Sequence, residues 1–362
     1  PCVIAMRRLA FCWLAALFLS GMSPQPAATI PPPPPAAVRL PLQRYEADFV
    51  AMGMKYHIAL FAPNESTAVE AINAVMDRVH AMDRTFSDYN TESELSRLCE
   101  HCRPGMPVRV SPELFEVLSH AGTLAEQTHG AFDVTIGPVI ELWRTARRQK
   151  RLPPPPALLA ARKKVGWSQL RLDPLNRTVE FTQPGVQIDL GGIAAGYALD
   201  EAAELLKVRG LTCVLMDASG DIRVGDPPPG RPGWRVTVSG LAGTTDVPEA
   251  QELILKNCSV TTSGDARQFV EIEGTRYSHI VDPRTGLGMP RRSSTTIIAP
   301  TGWQADSYAT AVNVMGSSAG LRWLESQPGC QGVMFEMTDA GISRRATAHF
   351  PQTRVPETAP PP

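Results

Sequence analysis

Four short turns, each rich in small or polar residues and each following a strand-like run, constrain this chain more than any other feature. They are Asp189-Leu190-Gly191-Gly192, Asp217-Ala218-Ser219-Gly220-Asp221, Thr261-Thr262-Ser263-Gly264-Asp265 and Asp282-Pro283-Arg284-Thr285-Gly286. Ser, Gly and Asp form turns readily, so each alone reads as a plain connection. Their recurrence at strand ends points to a common cleft. The first turn runs into a helix start at Ile193-Ala194-Ala195-Gly196. Two glycines before a helix leave bare backbone N–H groups that a phosphate can approach. Asp189 at the strand end can accept hydrogen bonds from a base or ribose. The spacing is not G-x-G-x-x-G, so a Rossmann site is not indicated.

Between these turns strands and helices alternate. Residues 56–61 alternate like a strand. Residues 66–86 have helical spacing, with Ala71, Val75, Val79 and Met82 recurring every three or four positions. Ser111-Pro112-Glu113-Leu114 opens a further helix that runs toward Gly130, with a capping hydroxyl, proline at the first position and acid in the first turn. Residues 194–208 read as a helix stopped by Gly210, and residues 307–315 as another. Strands are expected at 179–188 around Gln183-Pro184-Gly185, and at 211–216, 234–238 and 259–262. The basic run 144–151 reads as a solvated face or loop, with an anionic partner as the alternative. Together these give an α+β protein with a substantial sheet.

A net charge of -1 provides no basic field for nucleic acid, so no nucleic-acid partner is expected. The proline runs at 31–35, 153–156 and 360–362 mark linkers and ends. Met6-Arg7-Arg8 precedes an apolar stretch at 9–19 and small residues at Ser20, Gly21 and Ser23. Residues 1–23 are expected to be an export signal, with translation starting at Met6; the apolar stretch is too short to span a bilayer comfortably. Residues 24–41 are expected to be an extended proline-rich linker, 42–345 the folded domain and 346–362 a disordered tail. Cys99 and Cys102 flank Glu100-His101. They read as an oxidised surface pair or as free thiols, and a lone C-x-x-C is weak support for a metal or redox site.

Two further features carry chemistry. His279 directly precedes Ile280-Val281-Asp282, at the approach to the fourth turn, and histidine exchanges protons near neutral pH; a strand-end histidine satisfied by the backbone is the alternative. Asp306 and Thr310 stand four apart, so on a helix their oxygens share a face. A carboxylate, a hydroxyl and a nearby carbonyl suit a hard cation such as Mg²⁺; an acidic residue favoured by the helix dipole is the alternative.

The order of these segments resembles that of the ApbE-type FAD:protein FMN transferases over about residues 45–340. The matching stretches are Met52-Gly53, Phe86-Ser87-Asp88-Tyr89-Asn90, Ser93-Glu94-Leu95-Ser96 and the run from Gly130-Ala131-Phe132-Asp133 to Gly137-Pro138. They continue through Asp189 to Ala194, Thr262-Ser263-Gly264, His279 to Gly286, and Ala305-Asp306 with Thr310. The resemblance implies an ApbE-like, T-fold-related architecture with a mixed sheet. It implies FAD in a deep cleft lined by Met52, Tyr89, Ala131, Phe132, Asp133, Asp189, Ala195, Ser263, Gly264 and Ile280. It implies Mg²⁺ held by Asp306 and Thr310, with backbone oxygens of Gly192 and Ala309. FMN would pass to a threonine or serine of a redox protein, with AMP leaving. His279 would take the hydroxyl proton, and Asp282 would orient it or meet the phosphates.

The chain departs from the usual pattern at Ala195, where relatives carry a charged or long residue at the flavin end. Ser219 replaces a common glycine, Cys99 a common Asn, and Met54 a common Thr. By analogy the acceptor is a membrane-associated electron-transfer subunit, and the site of action is the periplasm or the periplasmic face of the inner membrane. Two other functions use the same cleft: a metal-dependent FAD pyrophosphatase, and an exported FAD-binding protein without turnover.

Overall fold

The computed structural model describes residues 41–241, 250–265 and 269–351. The expected export signal and all but the last residue of the expected linker lie outside them. In chain order the first elements are β1 (Gln43–Ala51), β2 (Met54–Ala62), α1 (Glu65–Phe86), α2 (Glu94–His101), β3 (Val108–Arg109), α3 (Pro112–Gln127), α4 (Gly137–Gln149), α5 (Pro155–Arg162), β4 (Leu170–Asp173), β5 (Thr178–Phe181) and α6 (Ala194–Val208). Then follow β6 (Val214–Ala218), β7 (Asp221–Val224), β8 (Trp234–Ser239), β9 (Ala250–Leu255), β10 (Cys258–Gly264), β11 (Phe269–Ile272), β12 (Thr275–Ser278), β13 (Val281–Asp282), β14 (Leu287–Gly288), β15 (Ser293–Ala299), α7 (Gly302–Met315), α8 (Ser317–Glu325), β16 (Gln331–Thr338) and β17 (Gly341–Ala346).

Eight strands form one sheet in the order β1-β2-β6-β7-β10-β15-β16-β17. Each neighbouring pair is antiparallel. The mixed sheet expected from the resemblance is therefore antiparallel here; the parallel pairing among the described residues is the isolated bridge of Ile136 with Gln187. Short hairpins impose this. Met52 and Gly53 join β1 to β2 with φ of 51° and 68°, and Ser219 and Gly220 join β6 to β7 with φ of 56° and 115°. Two left-handed residues in a two-residue turn match the twist of an antiparallel pair.

One face of the sheet carries α1, α6 and α7 over the main core. The other face is covered by the β8–β9 hairpin, whose Trp234, Val236, Val238, Leu253 and Leu255 pack on Ala59, Val224, Val260 and Ile298. Covered on both sides, β15 is buried at all seven positions. α1 follows the expected spacing: Asn64 caps it by accepting from Thr67 N at 2.9 Å, and Ala71, Val75, Val79 and Met82 face inward. α3 is capped by Ser111 with Pro112 in its first turn, as expected.

The structure changes further expectations and decides between others. The strand expected from residue 211 begins at Val214. The basic run 144–151 is no loop: residues 144–149 end α4, and Arg144 and Arg147 are partly buried. Of the two readings of Cys99 and Cys102 the free thiols hold and the oxidised pair does not; Cys102 is buried with its sulfur 3.1 Å from Phe181 N. The ordered chain also runs past 345. Thr347 N donates to Gly332 O at 2.9 Å and Phe350 packs against the core, so the described part of the expected tail belongs to the fold. Among the described residues no helix is long and apolar enough to cross a membrane.

Candidate functional site

The site is organised by α7, which is buried nearly all round. Thr301 makes no side-chain cap at its start. Asp200 of α6 does that work instead, accepting from Gly302 N at 2.6 Å and Trp303 N at 3.0 Å. A carboxylate at a helix N-terminus satisfies orphan N–H groups and meets the positive end of the dipole. Further along α7, Asn313 Nδ2 donates to Ser293 Oγ (3.0 Å) and Thr295 Oγ1 (3.1 Å) of β15.

The helices α6 and α7 touch backbone to backbone. A Cβ on Gly196 would lie 2.2 Å from the Gly302 carbonyl oxygen, so glycine is required there. This contact brings Gly196 N to Asp306 Oδ2 at 3.1 Å. Thr310 stands one turn on. A Cβ on Gly192 would lie 3.3 Å from Thr310 Oγ1 and 3.3 Å from the Phe132 ring, which places Gly192, Phe132 and Thr310 together. Ala309 is fully buried beside them in sequence.

Asp306 and Thr310 open on a cleft of about 640 Å³, shared by Gly191, Asp217, Asp221, Ser263, Gly264 and His279. Three of the four glycine-bearing turns named from the sequence thus meet in one place, and His279 brings in the segment before the fourth. Gly53, Met54 and Lys55 of the first hairpin form part of the rim. Next to them, Met52 is fixed by its N–H to Asp83 Oδ2 at 3.0 Å and by its sulfur to Tyr56 OH at 3.2 Å. Asp217, Asp221 and Asp306 line the cleft, with Lys55 as the one lysine among the described lining residues. Burial drives the Asp306 carboxyl well above the ordinary carboxylate range and Asp221 adds to the shift. Burial likewise raises Asp221, against a hydrogen bond from Thr261 and with Asp217 adding to the rise.

A second cluster is built around α4, outside the lining of that cleft. Arg144 pairs with Asp88 and stands 3.3 Å from Asp189 Oδ2, with its guanidinium 4.2 Å from the centre of the Tyr89 ring. Tyr89 is otherwise 79% exposed. Burial raises the Asp189 carboxyl and Asp88 adds to that; the Gly191 N–H at 2.8 Å and the charges of Arg144 and Arg147 oppose it. Arg147 Nη2 donates to the His279 carbonyl at 3.1 Å. Ala131 and Ile280 share a small apolar cluster with Met289 and Val314.

Of the expected site residues, the cleft lining holds His279, Ser263, Gly264, Asp306 and Thr310; the others stand outside it, Asp282, Asp133 and Ala195 among them. Asp282 is held by Arg284, whose N and Nε reach Oδ1 and whose Nη2 reaches Oδ2, each at 2.9 Å. Its carboxylate secures the turn after His279. Asp133 is buried with Oδ1 on Thr135 N (2.9 Å) and Thr135 Oγ1 (2.7 Å), and burial raises its carboxyl. Ala195 is buried in the first turn of α6. Sequence reading missed Arg144, Arg147 and Asp200, whose partners lie 45 to 132 residues away. Asp221 appeared there only as the end of a turn.

The donor set around Asp306 is one of oxygens: carboxylate, hydroxyl and main chain. Among the described residues no three His, Cys, Asp or Glu side chains converge as a metal-ligand group. A hard cation held by one carboxylate with hydroxyl and carbonyl oxygens fits this set, and a soft, thiolate-bound metal does not.

Comparison with known proteins agrees with this geometry. A model of the ApbE family matches residues 52–334. The FAD:protein FMN transferase of Haemophilus influenzae is 30% identical over 310 residues, which cover 83% of this chain and 88% of that protein. The FAD:protein FMN transferase of Vibrio cholerae is 30% identical over 321 residues, covering 87% and 94%. Among solved structures, the flavin transferase ApbE from Vibrio cholerae superposes with a TM-score of 0.76 at 28% identity, over 85% of this chain and 98% of that one. The apbe protein from Thermotoga maritima gives 0.73 at 30% identity, over 84% and 97%.

Proposed function

The chain belongs to the ApbE family, and on that premise we propose that it is an FAD:protein FMN transferase that moves FMN from FAD to a threonine or serine hydroxyl of a partner protein. The acceptor oxygen attacks the FMN-side phosphorus, the bond from that phosphorus to the bridging oxygen breaks, and AMP leaves. The observation that carries this reading is the meeting of Asp306, Thr310, His279 and three strand-end turns in one cleft.

The charge of the lining supports a cation. Among the described lining residues three acids face one lysine, an acid-rich lining that favours a cation beside a pyrophosphate. Asp306 and Thr310, with the main chain of Gly192 and Ala309, are the residues proposed to hold Mg²⁺. When bound there it would supply positive charge against the pyrophosphate and the leaving AMP. The chain's own part is placement, which phosphoryl transfer needs more than covalent help. Gly191 and Gly192 expose backbone at the start of α6, and Ser263 and Gly264 close the opposite edge. Phe132, beside Gly192 and Thr310, would pack on the bound FAD, with Met52, Ala131 and Ile280 adding apolar surface. Tyr89 and Asp189 would hold the far side, steadied by Arg144. His279 is proposed as the base that takes the acceptor hydroxyl proton, while Asp282 and Asp133 keep the backbone around the site in shape. Ala195 leaves the flavin end without the long side chain of relatives.

Export through residues 1–23 and an electron-transfer acceptor at the periplasmic membrane face complete the proposal. The test is a transfer assay. Protein lacking residues 1–41 is mixed with FAD, Mg²⁺ and a threonine-bearing acceptor peptide, with mass spectrometry for the adduct and chromatography for AMP. A chelator-sensitive FMN adduct is expected. AMP and free FMN without adduct would assign a pyrophosphatase, and intact bound FAD a binding protein. His279→Ala is expected to keep FAD binding and lose transfer by about 100- to 10,000-fold; wild-type transfer by that variant would remove His279 from the reaction.

A further inference from the structure

The transfer chemistry uses Arg144 to steady Tyr89 and Asp189 but leaves its neighbour Arg147 without a task. Arg144 and Arg147 are three apart and so share one face of the helix. α4 is itself gripped to the segment that carries His279: buried Trp143 donates from Nε1 to Gly286 O at 2.8 Å. One turn later Arg147 Nη2 donates to His279 O at 3.1 Å. The chain from His279 to Gly286 is therefore held at both ends from α4. Ser278 N donates to Met289 O and Met289 N to Ile280 O, both at 2.9 Å, which ties the residues on either side of His279 to Met289. Trp143 is fully buried and serves the core. Arg147 is different. It is partly buried, its charge lies near Tyr89, Arg144 and Asp189, and its buried Nε has no hydrogen-bond partner. Burying an unpaired donor costs about 1–3 kcal/mol. A residue kept solely for stability would be better replaced by an apolar side chain.

We infer that Arg147 is a positioning residue for His279, fixing the main chain of the proposed base from α4 so that its imidazole meets the acceptor hydroxyl. The inference rests on the reading of His279 as that base. Misplacing a reacting group by about 1 Å can cost ~100-fold in rate. Loss of the carbonyl contact is accordingly expected to lower kcat by about 10- to 100-fold while the KM for FAD changes little.

A double-mutant cycle tests this on the domain lacking residues 1–41, with melting curves to show that each variant is folded. Arg147→Ala is expected to lose kcat, and Arg147→Lys, which keeps a donor for the same carbonyl, to recover at least part of it. In a His279→Ala background, Arg147→Ala is expected to change transfer no further, because both substitutions remove one function. Two results overturn the inference and leave the base intact: a loss by Arg147→Ala that multiplies with that of His279→Ala, or a raised KM with kcat unchanged. Transfer at the wild-type rate by His279→Ala alone would instead remove the base, and the positioning role with it. If Arg147→Ala does not fold, the Lys variant decides the matter: a kcat as low as that of His279→Ala would overturn the inference, and a rate between that and wild type would support it.

Discussion

Gly196→Ala tests how closely the position of Asp306 depends on the contact of two helices. The new Cβ would lie 2.2 Å from Gly302 O, 2.5 Å from Gly302 C and 2.8 Å from Asp306 Cβ. Carbon needs about 3.5 Å from such atoms, so α6 and α7 must separate by roughly 1 Å. Two of the three blocking atoms belong to backbone and cannot rotate away. Overpacking of this kind costs about 1–3 kcal/mol, which melting of the cation-free protein would read as a fall of several degrees. The same separation lengthens the Gly196 N to Asp306 Oδ2 hydrogen bond, now 3.1 Å. It also moves Asp306 away from Gly192. A shift of about 1 Å at a reacting centre can cost ~100-fold, so FMN transfer measured well below the melting point should fall by about that factor. Higher Mg²⁺ should recover part of the loss. Gly302→Ala places its Cβ 2.2 Å from Gly196 O and should behave alike. The double variant should cost less than the sum, because the gap opens once. A Gly196→Ala protein that melts and turns over like wild type would refute both the close approach and the control of Asp306 by it.

Other consequences can be measured on the same preparations. Asp200→Ala removes the acceptor for Gly302 N and Trp303 N and should cost about 1–2 kcal/mol; an unchanged melting temperature would mean that the start of α7 is capped in another way. Burial raises the Asp306 and Asp221 carboxyls, with Asp221 adding to the first and Asp217 to the second, so the folded, cation-free protein keeps protons that the unfolded chain loses above about pH 4. This pair therefore costs stability as pH rises from the ordinary carboxylate range through the raised folded values, and protons compete with a cation there. The rise in Tm on adding Mg²⁺ should be larger at about pH 7.5 than at about pH 5.5, and equal shifts would place the cation elsewhere. Burial pushes the Cys99 thiol up to about 11, so it should react slowly with thiol reagents in the folded protein and quickly in urea; rapid native labelling would contradict its burial.

What the sequence made legible was whatever depends on neighbours in the chain. The spacing of Ala71, Val75, Val79 and Met82 revealed α1, and Ser111-Pro112 marked the start of α3, because cap and period are local properties. Asp306 and Thr310 could be paired because four residues make one helical turn. α7 was read five residues short. Buried on nearly every side, it has no polar face and so no amphipathic period, and its cap comes from Asp200, about a hundred residues earlier. Arg144 and Arg147 looked like solvated charges because Asp88, Asp189 and His279 O, which make their burial tolerable, come from three distant segments. The Cys99-Cys102 spacing left a pair or free thiols open; the structure decides for free thiols, setting Cys102 against β5 and giving Cys99 the Ile188 N–H at 3.4 Å.

Asp306 with Thr310, and His279, are anchored by different helices, and this separates their failures. Asp306 and Thr310 ride on α7, which is fixed by Asp200 at its start, by Gly196 at its crossing with α6 and by Asn313 against β15. His279 is carried by α4 through Trp143 and Arg147. Damage along α7 should therefore appear as altered cation dependence: Asp306→Ala should abolish the response to Mg²⁺, and Asp200→Ala or Gly196→Ala should shift it to higher concentration. Damage along α4 should leave the Mg²⁺ midpoint in place and lower the plateau rate. Titrating Mg²⁺ against transfer for one variant of each helix is enough to decide. If Arg147→Ala moves the midpoint as far as Gly196→Ala does, the two anchors are not independent, and the cleft must be treated as one coupled unit.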